Sequence, residues 1–489
     1  MIYFLYLYKK PPTNLHRLQS GANLKKNIVK LQKISELQPT LPFTEFDLFK
    51  KYRDNFKYSE LGAIYEQLPI KELSDFLQSK LPKLHPQGRK QQFPMEGQVA
   101  LMFLRPYTGL GDDALAQMLN GNINMQIFCG VYIDPSSPLK DGKIISAIRN
   151  RLASVLDIRE LQHILFDRWK GGLTHLDRLM TDATCYESLL RFPTDIKLMW
   201  ECCYWLHILT TSTCKSLGER QPRNKFCSVS KARLAYAKQR RPQKSATRRM
   251  QRRVLKLLGK LIGQWNRLRS QFSPEITLTA EQEKRLIAIA KVYEQQHEVF
   301  QGNKVKHRIV SIDRPYIRPI VRGKENKRVE FGAKVNNIQI DGISFIEHCS
   351  FEAFNEGIRL RQCIEYQQKL TGVDVKEIGA DSIYANNANH TYCTENGILT
   401  SFARKGVRPK ADECRAVRRI LGNVRATAME GSFGNQKQHY NLGHVAARNS
   451  RSEVLQIFFG VHMANAAILA SRKIAEEENK LMEQKRKAG

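Results

Sequence analysis

Three carboxylates, Asp182, Asp381 and Glu430, stand where residue type and setting could support metal-dependent chemistry. Asp182 lies in an apolar, β-rich run at 173–184, and Asp381 in a similar run at 375–384. Each falls near the end of an expected short strand. A carboxylate at the end of a buried strand must be paired, bound to metal or opened to a cleft. If the two strands are neighbours, both aspartates reach one or two Mg²⁺ ions, which take oxygen ligands and usually keep waters and phosphate oxygens as well. Glu430, on a facing helix, would supply the third carboxylate. Two metals roughly 3.5–4 Å apart can activate an attacking oxygen and stabilise a leaving one, so the set suits phosphodiester chemistry. Taken singly, each aspartate is equally a helix cap or a surface residue.

The glutamate sits in an unusual stretch, with Gly431 and Gly434 close behind it and Lys437 seven residues on. Each glycine inside a helix costs about 1 kcal/mol relative to alanine. On a continuous helix, Glu430 and Lys437 share a face roughly 10.5 Å apart. Gly431 and Gly434 would then leave room on that face for a substrate to approach closely, between Glu430 and Lys437. The alternative is a helix break at Gly431 with Lys437 merely solvated.

Elements must hold these groups in place. Helical spacing runs through 43–80 and 95–119, and again through 143–153,. In that last helix Ile144, Ile145, Ile148 and Leu152 share one side, with Lys143, Arg149 and Arg151 elsewhere. A recognition helix has this form, and so does a basic helix packed on a bundle. From residue 172 the texture becomes β-rich, with strands expected at 173–184, 309–320, 329–340 and 343–349 and turns at 322–327 and Asp341-Gly342,. A helix over 357–370 precedes a strand at 375–380. Strands that give way to strand–helix alternation predict an α/β fold with a mixed sheet. Asp313 reads as a turn residue, Asp195 as the N-cap of the next helix, and Glu330 and Lys334 as lining the site or pairing across it.

Charge points to the partner. The chain carries 79 Lys+Arg against 47 Asp+Glu, a net +32, and such an excess favours nucleic acid. Residues 211–270 alone hold 18 Lys+Arg and one acid, Glu219. They lie in a long helical insertion, 193–306, between the first two strands. There Arg240, Arg241, Arg248, Arg249, Arg252 and Arg253 alternate with Tyr236, Leu255, Leu258, Leu261 and Trp265. The apolar set gives the helix a docking face and leaves the arginines outward. Phosphate contacts of this kind position a protein without reading sequence.

Other chemistries find little support. Ten cysteines without a CxxC pair suit a reducing cytosol and fit neither a disulfide framework nor a zinc module,. The cluster Cys202, Cys203, His207 and Cys214 lies in an apolar run and reads as buried core. No histidine has a partner serine or cysteine in a nucleophile setting, so acyl transfer is unsupported. Residues 1–8 make a poor signal peptide. The apolar run 454–470, interrupted by Gln456, His462 and Asn465, reads as a core helix and not a membrane span.

The ordered motifs carry a resemblance. Asp182-Ala-Thr184 is followed by Pro193-Thr-Asp195, then by Arg318-Pro-Ile-Val-Arg-Gly-Lys324 and Val329-Glu-Phe-Gly-Ala-Lys334. Ala380-Asp-Ser-Ile-Tyr384 comes next, with Asn386 and Asn389. Lys405-Gly406 and Glu430-Gly-Ser-Phe-Gly434, with Lys437 and Tyr440, complete the series. In this order the chain resembles the DDE transposases of bacterial insertion sequences, from about residue 172 to 445. The resemblance implies an RNase H-like mixed sheet flanked by helices and split by the basic insertion, with an all-α N-terminal domain. It implies Asp182, Asp381 and Glu430 as metal-binding acids for two Mg²⁺ ions, with Mn²⁺ able to substitute, and Lys437 as a DNA contact near the cut. A common form of the glutamate motif has Tyr seven and Arg four residues before the Glu. Here those positions hold Asn423 and Ala426, with Arg425 offset by one, which puts a hairpin intermediate in doubt.

The expected organisation is a tail at 1–40, a helical DNA-end-binding domain at 41–165, a catalytic domain at 172–470 and a charged tail at 471–489. The expected function is a DNA transposase that binds terminal inverted repeats, cleaves a strand and joins it to target DNA. Arg425, Arg149 and Arg151 are further expected DNA contacts. A homodimer, a cytoplasmic location at the nucleoid and no membrane complete the expectation. The alternatives are an RNase H-like nuclease without strand transfer and a domesticated DNA-binding protein without catalysis.

Overall fold

A computed structural model describes residues 45–83, 91–321, 329–402 and 415–488. The segment 1–8, the tail 1–40, the turn 322–327 and Lys405-Gly406 lie outside the described residues.

Helices come first: α1 (Glu45–Phe56), α2 (Glu60–Glu66), α3 (Ile70–Lys80), α4 (Met95–Thr108), α5 (Asp112–Gly121), α6 (Ile123–Phe128), α7 (Lys143–Ala153) and α8 (Ile158–Trp169). Their ends have local causes. Ser59, Asn122 and Asp157 accept from backbone N–H groups at the starts of α2, α6 and α8, donors that would otherwise lack partners. Gly109 ends α4 at φ 66, a left-handed conformation that costs glycine little,.

The sheet is mixed. Its strands are β1 (Arg178–Glu187), β2 (Pro319–Val321), β3 (Val329–Ile340), β4 (Ile343–Ser350), β5 (Glu377–Ala380) and β6 (Leu399–Thr400). β3 pairs antiparallel with β1 on one side and with β2 and β4 on the other, whereas β5 and β6 run parallel to β1. The β3–β4 hairpin turns at Asp341 and Gly342, with φ of 47° and 80°; two successive positive φ values suit the twist of a tight hairpin. Of the expected strand at 309–320, only β2 forms. Pro315 and Pro319 remove two ladder donors,, and Ile309 and Ile312 pack into the helical insertion instead.

That insertion comprises α9 (Asp195–Ser216), α10 (Phe226–Ala237), α11 (Lys244–Gln271) and α12 (Ala280–Gln301). It has its own apolar core, in which Leu206, Val254, Leu258, Leu261, Trp265 and Val292 are buried. Thr279 and Gln282 form a reciprocal capping box at the start of α12,. Thr194 caps α9, accepting from Lys197 N at 3.3 Å. Asp195, expected to be that cap, is instead the first helical residue and pairs with Arg308.

After β4 come α13 (Leu360–Thr371) and α14 (Asn387–Glu395), then α15 (Arg415–Val424), a π-turn (Arg425–Met429), α16 (Glu430–His439) and α17 (Ser450–Ala488). α17 binds the two halves together. Phe459 meets Phe103 of α4 edge to face at 4.7 Å, and Asn465 bonds both the N–H and the C=O of Ser344 in β4. The helical block α1–α8 therefore shares one continuous core with the sheet. Among the described residues, Ser450–Gln484 is the one helix long and apolar enough to cross a membrane, and 78% of its most apolar window is buried inside the protein.

Candidate active site

Two parallel strands bring the aspartates together. Thr181 of β1 pairs with Ala380 of β5, so Asp182 and Asp381 occupy the next register position. Asp182 is not near a strand end as the sequence suggests. β1 continues to Glu187 because β3 supplies partners throughout, Asn337 opposite Asp182. Asp381 does leave its strand at once. Its Oδ1 accepts from Ser382 N at 2.6 Å as the chain enters a turn, and Asp182 Oδ1 accepts from Ala183 N at 2.8 Å.

Arg425 links the third acid to this pair. Its guanidinium lies 3.0 Å from Asp182 Oδ2 and 3.9 Å from Glu430 Oε1. The π-turn explains how a residue five before the glutamate can reach it. An α-helix brings positions i and i+4 onto one face, whereas a π-turn bonds i to i+5. The wider turn thus aims Arg425 into the site, and Ala426 is exposed. Such turns occur frequently at functional positions.

The electrostatics favour a cation here. Burial raises the Asp182 carboxyl above its usual range; the Ala183 N–H and Arg425 pull it down, and Asp381 and Glu356 push it up again. Carboxylate oxygens are the donors Mg²⁺ prefers, so the aspartate pair fits such an ion. Glu430 is a looser member, with its side chain 67% exposed and the guanidinium between it and Asp182. Among the described residues, no three His, Cys, Asp or Glu side chains stand close enough together to hold a metal. As folded, Arg425 supplies the positive charge.

α16 runs unbroken through both glycines. A methyl added at Gly431 or Gly434 would meet nothing within 4 Å, so packing does not require glycine at either position. Lys437 is half-buried, its ammonium 5.9 Å from the centre of the Tyr186 ring on β1.

The remaining basic residues divide sharply. Arg240, Arg241, Arg248, Arg249, Arg252 and Arg253 are exposed, and Arg248 and Arg252 also lie over the Phe300 ring. Arg151 is half-buried, donating to Gln98 Oε1 at 3.2 Å. Arg149 corrects the sequence reading. It is 7% exposed and forks onto Asp112 at 2.7 and 2.8 Å, where Arg105 also binds at 2.9 Å. It pins α7 to α5 and is not offered to DNA. Removing the carboxylate would leave two enclosed guanidinium groups uncompensated. Asp112→Ala is therefore expected to destabilise the fold by about 3 kcal/mol, read as a lowered urea midpoint.

Some neighbours of the site have no clear signal in the sequence. Glu356 acts on Asp182 electrostatically and is ion-paired with Lys334. The strand position of Lys334 does place it near the site, but its partner is Glu356 and not Glu330. Glu330 is buried on β3, and Asp313 lies in a loop paired with Arg285.

Residues 48–151, spanning most of α1, all of α2 to α6 and nearly all of α7, match the family model of a transposase domain, DUF772. No curated protein matches the chain, and no solved structure does. The match supports a transposase family for this chain and, through it, a role in DNA transposition.

Proposed function

We propose that the chain is a DDE-type DNA transposase with an RNase H-like catalytic sheet, acting on the terminal inverted repeats of its element. One observation carries this reading: Asp182 on β1 and Asp381 just past the end of the parallel strand β5 stand in adjacent register, with Glu430 tied to Asp182 through Arg425. The mixed sheet, with its central β1 flanked by an antiparallel hairpin and a parallel strand, supports the RNase H-like assignment.

Asp182 and Asp381 would hold Mg²⁺, or Mn²⁺ in its place, with Glu430 the third candidate ligand. Such ions polarise phosphate oxygens and lower the pKa of a bound water or hydroxyl. The protein's own groups do the remainder. Arg425 offsets part of the rise that burial gives the Asp182 carboxyl. Lys437 and the α11 arginines hold phosphates, and α11, about 42 Å long, offers them along a considerable length of duplex. Joining two element ends calls for two active sites, so a homodimer on bacterial chromosomal DNA in the cytoplasm is part of the proposal.

The test uses purified full-length protein, Mg²⁺, plasmid target and a duplex of the element end carrying a pre-cut 3′-hydroxyl. A joined product is expected. Hydrolysis without joining would instead make the protein a nuclease of the same fold.

A further inference from the structure

Beyond the end of β1 a cavity of about 470 Å³ opens between the segment leaving that strand, the loop before β2 and helices α9 and α12 of the insertion. Five cations line it: Arg191, Lys197, Arg285, Arg314 and Arg448. Facing them are three acids, Glu201, Glu281 and Asp313. These cations come from distant parts of the sequence, so the fold gathers them and no local charge run does.

Their partners are only partly supplied from within. Asp313 takes up Arg285, which also lies 3.9 Å from Glu281. The Lys197 ammonium donates to the Phe192 carbonyl at 3.4 Å, and Lys197 and Arg191 both act electrostatically on Glu201. Nη1 of Arg314 is enclosed without a hydrogen-bond partner among the described residues. The acid whose field Arg314 affects, Glu453, is engaged by Ser188 and Tyr316. Arg191 and Arg448 are exposed at the cavity wall. Among the described residues neither Arg314 nor Arg448 forms an ion pair with the cavity's three acids, and an oxyanion in the cavity would balance their charge.

The mouth of the cavity narrows the choice of anion. Leu189 and Phe192 line it and are 55% and 62% exposed. Cations beside an exposed aromatic ring and an aliphatic side chain match a phosphate flanked by the apolar edge of its sugar. Guanidinium forks are suited to phosphate oxygens. Seven residues of nearly extended chain separate Asp182 from Leu189, roughly 23 Å, which is about seven base pairs of duplex.

We propose that this cavity is a subsite for a backbone phosphate of bound DNA, about seven base pairs from the bond held at Asp182 and Asp381. The proposal rests on the transposase reading above and adds to it a fixed anchor away from the cut.

Arg314→Gln combined with Arg448→Gln tests it, with the double lysine variant as the conservative control. Affinity of the full chain for a 40-base-pair random duplex is measured by anisotropy across a salt series. Thermal melts establish that each variant is folded. Each phosphate contact contributes roughly 0.9 to the log–log salt slope, so losing the one phosphate held here is expected to reduce that slope by about 0.9 in the glutamine pair, and the lysine pair is expected to preserve it. An unchanged slope in a folded glutamine variant would overturn the subsite. A wild-type protein whose duplex binding shows no salt dependence would instead overturn the reading on which the subsite rests.

Discussion

Asp182→Asn is expected to abolish strand cleavage, by roughly 10³-fold or more, while duplex binding stays within about twofold. The magnitude follows from the proposed role. A metal at a transferring phosphate contributes several kcal/mol of charge stabilisation, and each 1.36 kcal/mol is tenfold in rate. The substitution keeps the shape of the side chain and removes the charge. Its structural cost is modest, because Arg425 retains Glu430 at 3.9 Å and the backbone N–H of Ala183 can still bond an amide oxygen. Asp381→Asn should behave alike, since Asp381 is exposed and its hydrogen bond is to Ser382 N. Cleavage of a labelled element end in Mg²⁺, read beside anisotropy on the same duplex, separates the two effects. Equal loss of binding and cleavage would make Asp182 a structural residue and remove the metal assignment.

The parts of this site that could be read from sequence are those set by local pattern. β3 spans 329–340 as expected because its apolar and β-branched run stops at an Asp-Gly turn. Arg248, Arg249, Arg252 and Arg253 face outward from α11 because their spacing opposes that of Leu255, Leu258, Leu261 and Trp265, whereas Arg240 and Arg241 lie in the link before α11 and not on a helix as expected. What escaped depends on distant partners or on small shifts of register. Arg149 looks like a surface cation within α7, and only the fold brings Asp112 to it from 37 residues away. β1 passes beyond Asp182 because β3, some 150 residues later, pairs with it. The direction of Arg425 turns on a single π-turn, which has no propensity signature in the sequence yet restores the contact that a one-residue offset would otherwise remove.

His462 shows how one buried group makes the scaffold under this site sensitive to acid. It is fully buried in α17, and burial pushes its imidazole pKa down to about 3 from an ordinary 6.5. Its Nε2 lies 3.0 Å from Gln162 Oε1 and its Nδ1 lies 3.1 Å from Asn465 Nδ2. The network assigns the proton to Nε2, which donates to Gln162, while Nδ1 accepts from Asn465. Gln162 also bonds both the N–H and the C=O of Ile346, and Asn465 does the same at Ser344. A second proton would set two donors against each other at Nδ1 and place an uncompensated charge in the core. The unfolded chain therefore binds a proton that the folded one refuses. The stability associated with the neutral ring is fully present above pH 6.5 and is lost as pH falls from there towards 3. Each pH unit crossed in that window removes about 1.4 kcal/mol, so His462 alone is expected to cost about 2 kcal/mol by pH 5 and roughly 5 kcal/mol across the whole window. His462→Gln keeps a polar side chain but cannot titrate, so it should cost stability equally at every pH and flatten the acid limb by close to one proton. Urea midpoints of both proteins at pH 7.5, 6.5, 5.5 and 5.0 give that difference directly. Parallel curves would mean that His462 is protonated in the folded state or that α17 opens locally before the ring titrates.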